Sequence, residues 1–483
     1  LTFRLFMKSQ EGITVKKDED FSEWYTQVIQ KAELADYSKV SGCIVFRPGS
    51  YHIWEKVQNY MNEEFKKVNV KNAYFPLLIP ESLLKKEQSH VEGFIPEVFW
   101  VTESGNTKLN EKLAIRPTSE TIMYPHYKNW IRSWKDLPLK INQWNSVVRA
   151  EFKHPILFLR TREFLWQEGH NAFATEKEVK EDTLLMLDIY EKTLKELYAI
   201  PALKGIKSEK ERFAGALYSL SLETLLPNGK AIQCCTSHNL GQNFSRAFDI
   251  NYLDKNEKKQ YAWQNSWGFT TRTIGIMIAM HGDNKGLVIP PKIAEIQIAI
   301  IPIIFEDTKN KVIKKAEEIK NSLEKYRVYL DAREDYSAGW KFNEYELKGI
   351  PIRIEIGPKD LAKNQVVLVR RDTLKKEIVK IKDLNKNIEK ILEDIHNNLY
   401  KKAEKFLNSN IIEVKNINEL KKAADSGKIG KALWCCGKKC EEIIKDKTNG
   451  VKSLNISLTE KKKGKCFSCG ASSENTAFLA RSY

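Results

Sequence analysis

Apolar residues recur at helical spacing in several stretches of the first half of the chain. The segment from Asp20 to Lys31 reads as an amphipathic helix, and the segment from Tyr51 to Val68 reads as a longer one. The sequence "TEKE", which begins at Thr175, is a capping box and predicts a third helix directly after it. The pattern therefore predicts long helices that each bury one face.

The pattern changes after Pro290 and Pro291, where a β-branched run, "KIAEIQIAIIPI", begins. From there apolar strands alternate with helical stretches, which is typical of a mixed α/β domain. Beyond about Leu384 the chain continues with a lysine-rich helix and then a cysteine-containing region. We therefore expect an α+β and α/β multidomain protein with units at residues 1–290, 291–384 and 385–483.

The stretch "FLRTREFLWQEGHNAF", residues 158–173, mixes charges with large aromatics. In a strand, side chains alternate between faces, which would place on one face Arg160, Arg162, Phe164, Trp166, Glu168 and His170. A core strand does not bury so many charges unpaired, and a surface strand has little use for these aromatics. The pattern favours a functional face, and the alternative is a half-exposed strand with chance aromatics.

The preceding stretch, "WNSVVRAEFKHP", reads as a second strand with Arg149 and Glu151 on one face. The segment "FKHPILF" would connect the two strands into an antiparallel unit. Arg272 stands in "NSWGFTTRTIGIMIAMHG", where a strand runs directly into an apolar helix. Arginines so placed favour phosphate binding, because a guanidinium grips oxyanions through two hydrogen bonds.

Two further segments carry polar side chains in turn and strand contexts. In "AIRPTSETIMYPHY", Thr118 and Glu120 stand at a turn before a helix and are suited to an ammonium group. An alternative of equal weight is that Thr118 or Ser119 is the N-cap of the helix, with Glu120 in its first turn. The segment "AIQCCTSHNLGQNF" adds Gln233, Thr236 and His238.

The net charge of +16 and the pI of about 9.2 favour a polyanionic partner such as nucleic acid. The alternative is lysine enrichment from an AT-rich genome, which would produce the same excess of positive charge. No run of 18 apolar residues exists, so no membrane span is expected, and the first residues lack the apolar core of a signal peptide. We therefore expect a cytoplasmic location.

Four of the eight cysteines form two close pairs near the end of the sequence. The pairs are C-x4-C and C-x2-C, a spacing suited to a tetrahedral, structural Zn2+ site rather than to disulfides. The candidate ligands are Cys435, Cys440, Cys466 and Cys469. Cys436 is an alternative to its neighbour Cys435.

Together these strings resemble the class II aminoacyl-tRNA synthetases, and more narrowly the prolyl-tRNA synthetases of archaeal and eukaryotic type. The matching strings are Arg-Pro-Thr-Ser-Glu, Val-Val-Arg-x-Glu, Leu-Arg-Thr-Arg-Glu-Phe-x-Trp-Gln-Glu-Gly-His, Thr-Ser-His-x-Leu-Gly-Gln and Gly-x-Thr-Thr-Arg. The resemblance runs from about Phe21 to the final "RSY". It implies an antiparallel catalytic sheet with helices, an α/β anticodon-binding domain and a small C-terminal zinc-binding α/β domain.

The resemblance also implies substrates and roles for the catalytic residues. ATP with Mg2+, L-proline and tRNA(Pro) would be the substrates, and Arg149 and Arg272 would be catalytic. The nucleotide would be bound by Arg149, Glu151, Arg160, Gln233, Thr236, Thr270 and Arg272. Proline would be bound by Thr118, Glu120, Arg149, Phe164, Trp166, Glu168, His170 and His238. The residues Cys234 and Cys235 depart from the small residues that relatives often carry there, and would narrow the pocket floor.

Outside the catalytic pocket, the resemblance makes four further implications. The stretch "GWKFNEYELKGIPIRIEIGPKD" would read two guanines of the anticodon through Glu346, Arg353, Lys359 and Asp360. The alternative is an ordinary strand with exposed charges. Residues 51–76 would form a homodimer interface, and Cys435 rather than Cys436 would be the zinc ligand. The tail residues Phe478, Leu479 and Tyr483 would fold back toward the catalytic domain.

Three functions remain open from the sequence. The first is an enzyme that joins proline to its tRNA, without an editing domain because the interval from His170 to Thr270 is too short for one. The second is a catalytically silent relative that binds RNA, against which the three arginines Arg149, Arg160 and Arg272 argue. The third is a class II synthetase for threonine, serine or histidine, although the zinc ligands of a threonine pocket are not evident in the sequence.

Overall fold

The computed structural model describes residues 12–90, 97–150 and 154–483. Within these ranges the helices are α1 (Phe21–Lys31), α2 (Pro48–Lys67), α3 (Glu81–His90), α4 (Glu120–Trp130), α5 (Glu176–Thr193), α6 (Asn243–Phe248), α7 (Arg272–His281), α8 (Lys309–Ser322), α9 (Ala338–Leu347), α10 (Pro358–Ala362), α11 (Leu384–Ser409), α12 (Ile417–Asp425) and α13 (Lys438–Lys447).

The strands of the first half are β1 (Ala35–Tyr37), β2 (Ile44–Phe46), β3 (Lys71–Asn72), β4 (Leu78–Pro80), β5 (Trp100–Ser104), β6 (Thr107–Ile115), β7 (Leu139–Val148), β8 (Glu163–Phe173), β9 (Leu203–Ile206), β10 (Tyr218–Leu225) and β11 (Ala231–Gly241). Those that follow are β12 (Asn251–Leu253), β13 (Lys259–Tyr261), β14 (Trp263–Thr270), β15 (Ile298–Pro302), β16 (Val328–Leu330), β17 (Ile352–Ile356), β18 (Gln365–Arg370), β19 (Lys376–Lys380), β20 (Ile411–Glu413), β21 (Ile429–Leu433), β22 (Lys452–Lys465) and β23 (Ser472–Ala480).

The helices expected from apolar spacing are confirmed, and their caps explain where they begin. The Asp20 side chain accepts hydrogen bonds from the first backbone N–H groups of α1. Thr175 and Glu178 form the reciprocal capping box that starts α5. Helix α2 begins with Pro48, a little before the expected start, because proline needs no hydrogen-bond partner for its nitrogen in a first turn.

The centre of the molecule is a twisted sheet in the order β9-β10-β11-β14-β8-β7-β3. Its neighbours are antiparallel except for β3, which lies parallel to β7 at the edge. Helix α5 covers one face of this sheet and buries Met186, Leu187 and Tyr190 in the main hydrophobic core. The opposite face is thereby left to carry polar side chains.

The central sheet does not end at β9. Strand β22 pairs with β9, with Ile456 opposite Ile206, and the order continues through β23, β21 and β20. The cysteine-containing region is therefore an extension of the central sheet by backbone hydrogen bonds. The sequence predicted a separate small block here, because strand pairing between segments so distant along the chain leaves no local signal.

The second sheet has the order β16-β15-β17-β18-β19, with parallel pairing around β15 and antiparallel pairing beyond β17. Helix α11 packs Ile388, Ile391 and Ile395 into the core under this sheet. The alternation of strands and helices expected after Pro291 is confirmed.

The charged stretch before β8 differs from its expected form. The strand begins only at Glu163, and Arg160 lies in a tight turn whose backbone bridges Ile156. Arg162 leaves the expected face, because its backbone N–H donates to the Gly42 carbonyl and its guanidinium donates to the Ser41 carbonyl. The proposed shared face is therefore correct from Phe164 onward and wrong for the two preceding arginines.

Candidate active site

One cavity of about 520 Å³ opens over the polar face of the central sheet. Its floor is built from cross-strand rows, because residues opposite each other on antiparallel strands point to the same side. In one row, Glu168 on β8 pairs with Gly268 on β14, which pairs with Thr236 on β11. In the next row, His170 pairs with Ser266, which pairs with His238.

Most of the residues expected at the site line this cavity. They are Thr118, Glu120, Arg149, Phe164, Trp166, Glu168, His170, Gln233, Thr236, His238, Thr270 and Arg272. They come from three strands, two helix starts and two connecting segments, and the folded sheet brings them together. Their roles toward substrates stay predictions.

An aromatic corner forms one wall of the cavity. The rings of Phe164 and Trp166 meet edge to face, with centroids 5.9 Å apart. The guanidinium carbon of Arg149 lies 5.3 Å from the Phe164 centroid and 5.5 Å from the Trp166 centroid. The Pro117 carbonyl accepts a hydrogen bond from Arg149 Nε at 3.1 Å. This corner offers flat apolar surface beside a fixed cation, which suits a small ring that carries a carboxylate.

Glu168 is buried and held by several donors. Its carboxylate accepts from the Ser119 backbone N–H at 3.1 Å, from the Ser119 hydroxyl and from Asn145 Nδ2 at 2.7 Å. Asn145 also accepts from Trp166 Nε1 at 2.6 Å, so one amide fixes both the carboxylate and the aromatic wall. Ser119 therefore acts on Glu168, and its side chain makes no cap hydrogen bond at the start of α4.

Glu168 also contacts His170, with Oε2 3.2 Å from Nε2 of the imidazole. Burial alone raises the pKa of Glu168, but the hydrogen bond and charge of His170 outweigh burial and lower this pKa below its usual range. Burial alone lowers the pKa of His170, but the Glu120 and Glu168 carboxylates outweigh it and raise this pKa. Two carboxyl groups and one imidazole therefore meet at this end of the cavity, an arrangement that fits a cationic ligand.

The same cluster meets the distance criterion for a metal site. Ligand atoms of Glu120, Glu168 and His170 lie within 4.8 Å of one another. The sequence did not indicate these three residues as a ligand set. Both ring nitrogens of His170 already have protein partners, however, since Nδ1 lies 3.1 Å from the Tyr124 hydroxyl. The Thr118 hydroxyl, which donates to Glu120, completes a polar end that an ammonium group would fill without displacing these bonds.

The other end of the cavity contains the cationic residues. Arg272, the first residue of α7, donates from Nε to the Leu159 carbonyl at 3.1 Å and from Nη1 to the Gln233 carbonyl at 3.3 Å. Burial and the charge of Arg149 lower the pKa of Arg272. Arg160 lines an adjoining cavity of about 180 Å³ that Arg272 and Gln233 share. Glu151 lies outside the described residues.

His238 is a half-buried imidazole that stays neutral over the physiological range of pH. Burial, followed by the charges of His170 and Lys207, lowers its pKa to about 3. Its Nδ1 lies 2.7 Å from the Ser219 hydroxyl, and its ring stacks on Phe213 with centroids 4.8 Å apart. A neutral ring so fixed acts as a positioned hydrogen-bonding group and as a wall.

Sequence reasoning missed several residues of the cavity. Lys207 and Glu223 form a buried ion pair at 2.6 Å where the two cavities meet, and Phe213 packs on His238. Glu223 stands opposite Gln233 in the strand register, a pairing that no local sequence signal shows. Cys234 and Cys235 line the cavity as expected, and burial raises the pKa of both thiols.

The four candidate zinc ligands converge. Cys435 Sγ lies 3.6 Å from Cys469 Sγ, and Cys440 Sγ lies 3.7 Å from Cys466 Sγ. All four sulfurs lie within 4.8 Å of one another. A tetrahedral site with Zn–S bonds of about 2.3 Å separates its sulfurs by about 3.8 Å, so the donor set fits this ion. Cys436 instead points its thiol to the Trp434 carbonyl.

The expected anticodon residues fall into two pairs. Arg353 donates to Glu346 at 3.0 Å near the start of β17, whereas Lys359 and Asp360 lie on α10, beyond the end of that strand. Arg353 also donates two hydrogen bonds to Glu355, which the sequence did not single out. Both carboxylates fix the orientation of the guanidinium.

The tail docks on the catalytic sheet. Phe478 and Leu479 are buried, and Tyr483 is half-buried against the main core. The Tyr483 backbone N–H donates to the Ala231 carbonyl at 3.1 Å, and its hydroxyl accepts from Asn228 Nδ2 at 2.7 Å. The expected return of the tail is confirmed, and it ends at the smaller cavity beside Arg272.

Comparison with known proteins agrees with this architecture. Residues 99–281 match the family model described as "tRNA synthetase class II core domain (G, H, P, S and T)", residues 297–391 match "Anticodon binding domain", and residues 417–483 match "Prolyl-tRNA synthetase, C-terminal". The fold and the cavity therefore define a class II aminoacyl-tRNA synthetase.

Full-length relatives narrow this class. The proline–tRNA ligase of Natranaerobius thermophilus is 48% identical over 97% of this chain and 97% of its own. A putative proline–tRNA ligase of Saccharomyces cerevisiae is 45% identical over 98% of this chain and 73% of its own. The crystal structure of prolyl-tRNA synthetase from Cryptosporidium parvum complexed with halofuginone and AMPPNP matches with a TM-score of 0.94 and 46% identity, covering 98% of this chain and 100% of that one. The chain belongs to the proline–tRNA ligase family.

Proposed function

We propose that this protein activates L-proline with ATP and transfers it to tRNA(Pro). In the first step a carboxylate oxygen of proline attacks the α-phosphorus of ATP, and the bond to the leaving pyrophosphate breaks. In the second step a terminal hydroxyl of the tRNA attacks the carbonyl carbon of prolyl-adenylate, and AMP leaves. The single observation that carries this proposal is the cavity that combines the aromatic corner with an anionic end and a cationic end.

The residues divide this work by charge and shape. Thr118, Glu120 and the Glu168–His170 pair take the ring nitrogen of proline, while Phe164 and Trp166 enclose its methylenes. Arg149 lies between the amino-acid end and the phosphate end, so it orients the carboxylate and stabilises charge on the α-phosphate. Catalysis is thus positioning and electrostatic stabilisation, with no protein nucleophile.

The nucleotide is assigned to the cationic end. Arg272 and Arg160 bind the outer phosphates of ATP, which enters as its Mg2+ complex, and Gln233, Thr236 and Thr270 contact the nucleotide and its ribose. The adenine contact is assigned to Glu151. Support for ATP comes from the relative crystallised with AMPPNP, an ATP analogue.

The remaining units bind the tRNA and stabilise the catalytic sheet. We assign residues 1–290 to catalysis, 291–384 to anticodon binding and 385–483 to the zinc-binding region. Glu346, Arg353, Lys359 and Asp360 would contact the two guanines, because a guanidinium matches guanine O6 and N7 and a carboxylate accepts from guanine N–H groups. Cys435, Cys440, Cys466 and Cys469 would hold a structural Zn2+.

We also propose a homodimer and a cytoplasmic location. Large apolar side chains at Tyr74, Leu77 and Leu78, which follow α2 in the sequence, are exposed, and a second subunit would cover them. No helix in the described ranges is long and apolar enough to cross a membrane. None of the eight cysteines, all within the described residues, forms a disulfide, as is usual in a reducing compartment. Light scattering at several protein concentrations tests the dimer.

Editing of mischarged tRNA is not expected from this chain. Residues 171–269 are all described, and they form α5, α6 and strands of the catalytic sheet or its flank. We therefore expect no hydrolysis of alanyl-tRNA(Pro) above the spontaneous rate.

The test of the proposal is charging of tRNA(Pro) with radiolabelled proline, with AMP and pyrophosphate counted against prolyl-tRNA. One AMP and one pyrophosphate per prolyl-tRNA support the assignment. Binding of tRNA without charging, by an enzyme that is folded and zinc-loaded, would instead favour the silent RNA-binding relative.

A further inference from the structure

A second cleft of about 600 Å³ lies away from the catalytic cavity, between the catalytic unit and helix α9. One wall comes from the end of α1 and from the loop after α7, with Lys31, Asn284 and Lys285. The other wall comes from α9, with Trp340, Asn343 and Glu346. Its volume is within the range of sites for small ligands or single nucleotides.

The aromatic wall of this cleft is rigid. Trp340 stacks on Tyr336, with centroids 4.0 Å apart and planes inclined by 24°. Arg333 lies over both rings, with its guanidinium carbon 4.8 Å from the Tyr336 centroid and 5.6 Å from that of Trp340. The guanidinium is fixed by Asp331 at 2.7 Å and by Glu344 at 2.6 Å. Trp340 lines the cleft, and Tyr336 and Arg333 hold its ring in place from behind the lining.

The two walls are also held together. Arg371 donates from its two terminal nitrogens to Asp283 at 2.6 and 2.7 Å, and from Nε to the Glu346 carbonyl at 2.8 Å. The Leu287 backbone N–H donates to the Leu347 carbonyl at 3.0 Å. The width of the cleft is therefore set before any ligand arrives.

The cleft is continuous with the proposed guanine-reading pair. Glu346 Oε1 accepts from Arg353 at 3.0 Å, while Oε2 accepts from Lys285 at 2.7 Å. One carboxylate therefore joins the anticodon-binding unit to a lysine of the catalytic unit. An ammonium group has three donors and Glu346 takes one of them, and half of the Lys285 side chain is exposed.

We propose that this cleft binds one nucleotide of the tRNA anticodon loop, the neighbour of the two guanines, with its base stacked on Trp340 and its phosphate near Lys285. Flat aromatic groups bind unpaired bases of any sequence, whereas hydrogen bonding reads particular bases. The nucleotide is thus held without being identified, as the variable base beside a fixed pair requires. The inference rests on the proposed function, because it takes tRNA(Pro) as the ligand.

The stacking is tested with tRNA(Pro) transcripts that carry the fluorescent base 2-aminopurine on one side or the other of the two guanines. At saturating wild-type enzyme, stacking on Trp340 should quench one of these transcripts. The variant Trp340→Ala should lose this quenching and bind tRNA at least about fivefold more weakly. Trp134→Ala, which removes an exposed tryptophan elsewhere on the catalytic unit, should behave as wild type.

The phosphate contact is tested separately. Lys285→Ala should weaken tRNA binding and lower the salt dependence of log Kd by about one unit of slope, as expected for one lost phosphate contact. Lys292→Ala is the matched control, because Lys292 is equally exposed and also pairs with a glutamate, Glu196. Proline-dependent pyrophosphate exchange, which needs no tRNA, should be unchanged in both variants.

The outcomes separate this inference from the proposed function. Wild-type enzyme that does not charge tRNA(Pro), or charges it equally after replacement of the guanines, overturns the proposed function. The inference alone is overturned if the wild-type enzyme needs the guanines for charging but the variants do not behave as expected. Those contrary results are that Trp340→Ala keeps the quenching, or that Lys285→Ala keeps the wild-type salt slope. If Trp340→Ala lowers the thermal midpoint, Trp340→Leu, which keeps apolar volume but removes the flat ring, decides the stacking result.

Discussion

The backbone N–H of Arg149 donates to the carbonyl of Arg162 at 2.8 Å, yet the two side chains leave in different directions. Arg149 lies over the rings of Phe164 and Trp166 inside the cavity. Arg162 donates to the Ser41 carbonyl outside it. Two arginines joined by one hydrogen bond therefore have different proposed roles, one at the reacting atoms and one in loop structure.

This pair gives a matched comparison for catalysis. Arg149→Ala should lower kcat/KM for proline-dependent exchange by at least about 100-fold, because a preorganised donor to transition-state charge contributes about 3 kcal/mol. Arg162→Ala should retain exchange within about threefold, since its contacts stabilise a loop. Steady-state exchange assays at matched thermal stability make the comparison. Equal losses of kcat/KM in the two variants would contradict the proposed catalytic role of Arg149.

The pocket floor is predicted to tolerate no added methyl group at Gly268. A Cβ there would lie 3.2 Å from the Trp166 ring, which is pinned through its Nε1 to Asn145. Gly268→Ala should therefore raise KM for proline about tenfold, as expected for overpacking that costs about 1–3 kcal/mol. Gly339→Ala is the control, because its Cβ would meet no atom within 4 Å. A wild-type KM in Gly268→Ala would show that the ring does not border the substrate.

The stability of the protein should fall in acid partly because of His238. Its folded pKa of about 3 lies below the unfolded value of about 6.5, so the unfolded state binds the proton first as the pH falls. The contribution is fully present above about pH 6.5 and declines by about 1.4 kcal/mol per pH unit down to about pH 3. Urea unfolding at pH 7, 6 and 5 should show a shallower loss for His238→Gln than for wild type. The exposed variant His154→Gln is the control, and parallel curves for wild type and His238→Gln would refute the assignment.

Zinc removal should weaken both the C-terminal region and the catalytic sheet, because β22 continues that sheet through β9. Cys435→Ser should lose bound zinc, lower the thermal midpoint by roughly 5 °C or more and reduce exchange activity. Cys436→Ser is the neighbouring control and should keep zinc, because its thiol points to the Trp434 carbonyl. Metal analysis of the two purified variants, followed by calorimetry, tests this. Zinc loss in Cys436→Ser, with zinc retained in Cys435→Ser, would show that Cys436 rather than Cys435 is the zinc ligand.

Local patterns predicted the helices well, because an apolar stripe or a capping box depends on residues a few positions apart. The capping box at Thr175 is where the sequence places it, and the first helix begins within one residue of its expected start at Asp20. The face shared by Phe164, Trp166, Glu168 and His170 was also visible, since a strand alternates with a fixed period. The argument fails for Arg162, because its backbone N–H donates to the carbonyl of Gly42, which is distant in sequence. The strand begins only at the next residue.

The site itself depended on long-range pairing. Glu168, Gly268 and Thr236 form a row only because β14 lies between β8 and β11. The resemblance to family motifs predicted that these residues share one site, whereas reasoning from the residues alone did not. Lys207 and Glu223, which meet at the junction of two cavities, belonged to no motif and were missed for that reason.

The most direct test of the central claim is ATP–pyrophosphate exchange with each amino acid supplied separately to the wild-type enzyme. The cavity predicts exchange that depends on proline, because it joins an aromatic corner for the ring, an anionic end for the secondary ammonium and Arg149 for the carboxylate. Threonine, serine and histidine should support little exchange under the same conditions. Exchange that follows threonine, serine or histidine in preference to proline, or no exchange with any amino acid by folded enzyme, would contradict the account.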